Sequence, residues 1–364
     1  MQTETTQPVD MTRYVRQAGL WMIMLTLIAA AVYAMFSGDR DPQTTISDFS
    51  TRFLGIFIEA APFLLLGSAV SGLLEVFVRR EDIIRWLPKN PITATVGGAF
   101  MGFVFPVCEC GVVPVTRRLF TKGLPMSVGV AFLLAAPVMN PIVLVSTFIA
   151  FENQPNQTEL VALRFAITAI VAIGVGVIFA IAARPQEILR PVSFAPVAGG
   201  DGGKPDDNAF TDFKQPPRDM IASANPTLGN NLYRAIKVAS YEFFEMGRFL
   251  VVGCLLAALM QTVVTQETLV NLGEGPLLSV IIMQALGFVL SVCSTVDAFL
   301  ALAFTGTFSS GSILAFLTFG PMIDIKSTLM FAGVFKRKTV AYLILLPLLM
   351  TMLIGLWINL FTNI

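Results

Sequence analysis

Apolar stretches about as long as a bilayer is thick recur along the whole chain. They occupy residues 20–36, 53–78, 92–115, 124–151, 160–183, 235–264, 276–304, 313–335 and 340–361. A helix needs roughly 18–20 such residues to cross hydrocarbon. Backbone amides inside lipid must find their partners within the chain, which a helix provides locally. The expected fold class is therefore an all-α integral membrane protein, multi-pass, in the cell inner (cytoplasmic) membrane. The stretch at 20–36 follows Arg13 and Arg16, as the core of a leader peptide would. It is longer than a usual leader core and lacks a small-residue cleavage site. It reads as one extra N-terminal transmembrane helix, behind a cytoplasmic N-terminus at 1–19.

Composition removes several function classes. Charged residues make up 13% of the 364 positions, against about 25% in a soluble domain. Basic and acidic residues balance at 24 each, so no global field favours nucleic acid. The chain has no histidine. That excludes histidine-based triads, HExxH zinc sites and histidine-ligated haem. The four cysteines fall inside apolar segments and are too few for a secreted disulfide framework. No Gly-x-x-x-x-Gly-Lys-Ser/Thr pattern for ATP phosphates occurs. No cofactor, resident metal or enzymatic activity is expected, and the partners are the lipid bilayer and a small solute. Oligomeric state has no signature here.

The two halves repeat each other. Phe103-Val104-Phe105-Pro106-Val107-Cys108 matches Phe288-Val289-Leu290-Ser291-Val292-Cys293 at four of six positions, with 293 − 108 = 185. Ala131-Phe132-Leu133 matches Ala315-Phe316-Leu317, and Pro137 matches Pro321, at an offset of 184. Glu59 matches Glu245 and Gly67 matches Gly253 at 186. Between the halves lies a segment rich in proline and glycine, with the run Gly199-Gly200-Asp201-Gly202-Gly203. Such a segment has too little apolar surface to offset its ordering entropy. The expected organisation is a first membrane repeat at 50–183, a flexible cytoplasmic linker at 184–234 and a second repeat at 235–364. Internal repeats of this kind mark secondary transporters, with the substrate site at the repeat interface.

Basic residues near helix ends favour the cytoplasm. Arg79, Arg80, Arg85 and Lys89 follow the second apolar stretch, and Arg117, Arg118 and Lys122 follow the third. A full crossing by the third stretch would put these clusters on opposite sides. A re-entrant hairpin puts both inside. The loop at 152–159 and the loop at 267–274, each without Lys or Arg, then lie outside, and Lys336-Arg337-Lys338 lies inside. Each half crosses three times and adds one hairpin, so the halves are inverted.

Chemistry concentrates where the hairpins turn. Pro106-Val107-Cys108-Glu109-Cys110-Gly111-Val112-Val113-Pro114 sets helix breakers, two thiols and a carboxylate in an apolar stretch. Broken backbone at membrane depth is tolerated where it lines a cavity or is buried in protein. Cys293 stands at the position matching Cys108, so three sulfurs can converge on one site. Thiolates are soft ligands that select soft centres. Tight helix packing at small residues would also place cysteines there, and Cys254 reads as such a filler. Intramembrane charge is costly and marks function. Glu109 lies between the thiols, and Asp297 follows Cys293 by one helical turn. Asn140 in Pro137-Val138-Met139-Asn140 corresponds to Asp324 in Pro321-Met322-Ile323-Asp324. These residues, with Cys108, Cys110 and Cys293, form the expected substrate site. Lys326 is placed to neutralise Asp324. Glu59 and Glu245 are candidates for carrying a coupling proton. Pairing at the interface is the other reading for both, for Glu245 with Arg248.

Cys108-Glu109-Cys110-Gly111-Val112-Val113-Pro114, with Leu133-Leu134-Ala135-Ala136-Pro137-Val138-Met139-Asn140-Pro141, resembles the YraQ-type predicted permease family. That family includes bacterial organoarsenical efflux permeases, and the likeness runs from about residue 50 onward. It implies a permease, with trivalent methylated arsenic as the best-known cargo type and Cys108, Cys110 and Cys293 as its sulfur ligands. Another sulfur-containing or soft-metal solute would use the same thiols. A membrane thiol oxidoreductase is the enzymatic alternative, and against it stands the absence of any Cys-x-x-Cys. A membrane partner or assembly factor, docking through the linker, is a third reading.

Overall fold

A computed structural model describes residues 42–78, 85, 88, 90–104, 107–152, 154, 156–182, 228–263 and 275–362. The extra helix expected at 20–36, most of the linker at 184–234, and Arg79, Arg80, Lys89 and Pro106 lie outside these described residues. Among the described residues the chain is all-α, without a β-sheet.

The first half contains α1 (Pro42–Phe77), α2 (Pro91–Val104), α3 (Glu109–Thr121), α4 (Met126–Ala135), α5 (Pro141–Ala150) and α6 (Gln157–Ala182). The second contains α7 (Leu228–Val263), α8 (Pro276–Leu290), α9 (Asp297–Leu302), α10 (Ser310–Met322), α11 (Ile325–Val334) and α12 (Arg337–Phe361). The order is the same twice. Helices α1 and α7 are both 36 residues long, and α5 and α11 are both 10. Their starts differ by 228 − 42 = 186 and 325 − 141 = 184, the offsets of the sequence matches. Helix α7 begins at Leu228, so residues 228–234 belong to it.

Proline sets the helix starts. Pro141 and Pro276 occupy the first turns of α5 and α8, where the missing N–H costs nothing and the fixed φ fits a helix. At the break after α8, Ser291 takes a left-handed conformation with φ 50°. Ser291 stands where the first half has Pro106, and its Oγ accepts a hydrogen bond from Ile325 N at 3.2 Å.

Five stretches are long and apolar enough to cross a membrane: 43–77, 157–181, 229–262, 310–334 and 337–361. The outer faces of α1, α7 and α12 carry exposed Ile58, Leu65, Phe244, Leu353 and Trp357. Apolar exposure on this scale fits lipid, not water. The stretch at 310–334 is the exception, with 89% of its apolar window buried against 22% for α1. It is the centre of the molecule, interrupted at Ile323 and Asp324 between α10 and α11.

Helices α1 and α7 form the longest contact between the halves, and they run antiparallel. Arg52 Nη1 donates to Gln261 O at 2.8 Å near one end, and Gly72 lies against Ala235 and Ala239 near the other. Within each half the packing repeats. Helix α2 lies on α4 and α4 on α6, as α8 lies on α10 and α10 on α12.

Candidate functional site

The centre of the molecule is assembled from the helix breaks. Helix α3 starts at Glu109, directly after the break that follows α2, with Cys108 as its N-cap. Two matched glycines bring the pieces together. A Cβ on Gly67 of α1 would collide with the Cα of Gly111, so only glycine lets α3 approach this closely. A Cβ on Gly253 of α7 would lie 2.9 Å from the Cα of Lys326 on α11. Each long helix thus admits one of the two backbones that carry the site.

Lys326 is the pivot. Its side chain is 1% exposed, and its Nζ lies 3.6 Å from Glu109 Oε1 and 3.5 Å from Asp324 Oδ2. The carboxylate of Glu109 also takes the Cys293 thiol of the second half, with Sγ 4.0 Å from Oε2. Cys293 Sγ accepts in turn from Thr295 Oγ1 at 3.6 Å. Cys108, Cys110 and Cys293 are all buried and free of disulfides, and the thiols of Cys108 and Cys110 interact with each other. Glu59 of α1 lies within electrostatic reach of Lys326 and Glu109, without a direct hydrogen bond or ion pair among the described residues. One buried ammonium, three carboxylates and the thiols of Cys108, Cys110 and Cys293 therefore gather where the halves meet, and Cys254 of α7 also lies within electrostatic reach of Lys326 and Asp324.

Asp324 has a second task. It caps α11, with Oδ1 accepting from Ser327 N at 2.6 Å while Ser327 Oγ accepts from Asp324 N at 2.9 Å. This reciprocal capping satisfies two buried donors that α11 would otherwise leave open. Asn140 does the corresponding work for α5, its Oδ1 accepting from Ile142 N at 3.0 Å. Asn140 is buried as a cap, and among the described residues no hydrogen bond or ion pair joins it to the thiols.

Asp297 sits one turn from Cys293, its N–H donating to Cys293 O at 3.0 Å. Its carboxylate turns to the first half instead of the sulfurs. Oδ2 accepts from Arg164 Nη2 of α6 at 2.6 Å, and Arg164 Nη1 donates to Thr147 Oγ1 of α5 at 2.6 Å. Ser146 Oγ donates to Thr295 O beside it. Arg164 is absent from the residues expected from sequence, yet it is a lone arginine inside an apolar stretch, which is itself a signal.

Glu245 pairs with Arg117 of α3 at 2.8 Å, not with Arg248 as expected for the paired case. Arg248 is displaced onto the face of Phe249, 4.9 Å from the ring centroid. Next to Arg117, Arg118 lies 3.5 Å from Glu75 and 3.7 Å from Glu242, and Glu242 accepts from Ser71 Oγ at 2.5 Å. Lys122 Nζ donates to carbonyls at the end of α1, Glu75 O at 2.8 Å and, just beyond the helix, Val78 O at 2.6 Å. Burial draws the Lys122 ammonium below its ordinary range, partly offset by Glu75. Glu242 is another buried carboxylate that sequence alone does not single out.

The chain is 40% identical to the UPF0718 protein YcgR of Bacillus subtilis over 302 residues, 83% of this chain and 94% of that protein. It is 37% identical over 286 residues to a Streptococcus mutans protein described as a putative two-component membrane permease complex subunit, covering 79% of this chain and 86% of that one. A UPF0718 protein of Methanocaldococcus jannaschii is 24% identical over 121 residues, about a third of either chain. No solved structure gives a significant match. The model of the ArsP_1 family, described as predicted permease, matches residues 45–360. The chain therefore belongs to the ArsP_1 family of predicted permeases, multi-pass membrane proteins built for transport.

Proposed function

We propose that this permease moves a small thiol-reactive solute, such as trivalent methylated arsenic, on sulfurs supplied by both halves. The observation that carries the reading is the meeting of Cys293 with Glu109, the residue between Cys108 and Cys110. Soft centres prefer sulfur to the oxygen of water or of a carboxylate. Thiols from two separately packed halves can hold such a cargo and pass it on as the halves move. Three permanent bonds would trap it, so transport requires exchange between the sulfurs of the first half and that of the second.

The same proposal takes 50–183 and 235–364 as inverted repeats, with α2–α3 and α8–α9 as re-entrant hairpins whose tips meet at the centre. What supports the inversion is that the matched helices α1 and α7 pack antiparallel. What supports the first hairpin is Lys122, at the end of α3, seated on carbonyls at the end of α1. Helices α1 and α3 then end at one face, and α2 and α3 enter and leave by it.

The test is resistance and efflux in a sensitised host. Cys108→Ser, Cys110→Ser and Cys293→Ser keep size but remove the soft ligand. Each should abolish efflux of trivalent methylated arsenic at unchanged protein abundance, while Cys254→Ser should have no effect. Full resistance in the triple serine variant would refute thiol ligation and return these cysteines to packing.

A further inference from the structure

Besides the central cluster, polar contacts between the halves form two groups, one on either side of it. Helix α7 gives the scale. Glu242 meets Ser71 and Arg118, whereas Gln261 Nε2 donates to Leu290 O at the end of α8. These positions are 261 − 242 = 19 residues apart, ~28 Å along a helix. At the first end, Arg117 and Arg118 of α3 bind Glu245 and Glu242 of α7. At the other, Arg164 of α6 binds Asp297, and Ser146 of α5 binds Thr295 O. The Glu109–Lys326–Cys293 cluster lies between them.

The Arg164–Asp297 pair is buried at both partners, unlike Arg117–Glu245 in the first group. Arg117 and Glu245 are 15% and 16% exposed, whereas Arg164 is 2% and Asp297 3% exposed at the side chain. A buried ion pair gains little net stability, because desolvating both charges offsets most of their attraction. This one is also half satisfied. Arg164 Nε and Asp297 Oδ1 are buried without a hydrogen-bond partner among the described residues, and so is Arg118 Nε in the first group. Closing the contact therefore costs the hydration of a guanidinium nitrogen and a carboxylate oxygen, and opening it to water restores both. That cost lowers the net gain from the closed contact, which is what a switching contact requires. The position has the needed leverage, since Asp297 N–H bonds to Cys293 O and Thr295 is two residues from the thiol. Whatever holds Asp297 and Thr295 holds the part of the second half that carries Cys293.

We propose that Arg164 and Asp297 form the gate that closes the central site from the membrane face opposite the Arg117–Arg118 cluster. Arg164 is a positioning residue in this scheme, and it touches no cargo. Thr147 fixes the guanidinium through Nη1, so that Nη2 meets the carboxylate only when the Cys293 segment is drawn against α5 and α6. Separation of the pair lets that segment move away from α5 and admits water from that face. The opposite cluster stays closed meanwhile and prevents a leak. The proposal rests on the chain being a permease and not on the identity of its cargo.

The test reads access, not transport. Cys293 is retained as the single cysteine, with Cys108, Cys110 and Cys254 replaced by serine, and a membrane-impermeant maleimide is applied to vesicles of either orientation. Arg164→Gln and Asp297→Asn should each raise the labelling rate about tenfold or more, from the face that carries Glu152 only. The exchange Arg164→Asp with Asp297→Arg should restore protection. Arg164→Lys keeps the charge but lacks the planar fork that spans Thr147 and Asp297. It gives an intermediate gain on the same face and serves if the neutral variants do not fold. Unchanged labelling, or equal gains from both faces, would overturn the gate. Loss of arsenic efflux is not scored, so failure of the thiol reading and failure of the gate remain distinguishable.

Discussion

At the scale of single residues, the centre is decided by charge arithmetic in a medium that tolerates little charge. Lys326 contributes one positive charge between Glu109 and Asp324. Without it both carboxylates would be buried with no cationic partner, and an unpaired charge in so dry a site costs several kcal/mol. Lys326→Met should therefore destabilise the protein by about 3–5 kcal/mol, read from unfolding in detergent. Adding Glu109→Gln and Asp324→Asn should recover most of that loss, since the amides remove the orphaned charges and Asn still caps a helix. A triple variant as unstable as the single one would show that Lys326 acts by packing. Sequence alone locates Glu109, Asp324 and Cys293, because each breaks an apolar pattern, Asp324 and Cys293 at matched positions. It gives Lys326 only its neighbour Asp324, because Glu109 is 326 − 109 = 217 residues away and no local rule links them. The pairing of Arg164 is hidden for a related reason. Its partner Asp297 lies in the other half, and neither residue has a charged counterpart under the repeat.

At the scale of helices, the breaks matter more than the spans. Pro-x-x-polar at Pro137–Asn140 and Pro321–Asp324 predicts interruptions, and α4–α5 and α10–α11 are interrupted there. The polar residue of each break proves to be an N-cap, which explains why Asn and Asp interchange between the halves. The matched pair Gly67 and Gly253 is legible as a repeat, but its purpose is not. Only the packing reveals that one admits Gly111 and the other Lys326. Gly67→Val and Gly253→Val should each cost about 1–3 kcal/mol by forcing packed backbones apart. Both should slow cargo binding, measured on purified protein, because each moves one wall of the thiol site. Gly247→Ala provides the contrast. Nothing lies within 4 Å of a Cβ at Gly247, so alanine there should be neutral or stabilise α7 by up to about 1 kcal/mol. A destabilised Gly247→Ala beside an unaffected Gly253→Val would contradict the packing assigned to both.

At the scale of the whole molecule, sidedness ties the repeat to the mechanism. Nine apolar stretches counted as nine crossings would scatter the basic clusters over both faces, whereas two hairpins collect them on one. The two hairpins must then open to opposite faces, because the helices that match by repeat, α1 and α7, run antiparallel. On the proposed inverted reading, each face has one hairpin whose tip reaches the shared centre, and one set of ion pairs that would release it. The prediction is a labelling pattern on a cysteine-free background. Asn90→Cys and Thr121→Cys bracket α2–α3, and Leu277→Cys and Gly306→Cys bracket α8–α9; none of the four positions is buried. Both members of the first pair should react with an impermeant reagent from the cytoplasm, and both members of the second from outside. If Asn90→Cys and Thr121→Cys react from opposite sides, α2 and α3 together cross the membrane. Helices α1 and α3 would then end at different faces, and Lys122 could not sit on the carbonyls of Glu75 and Val78 in the membrane-embedded protein. A split confined to the second pair would instead leave the first half as described and remove the inversion. The gate at Arg164 would then lose its opposite number, and access to the thiols would have to be controlled from one face only.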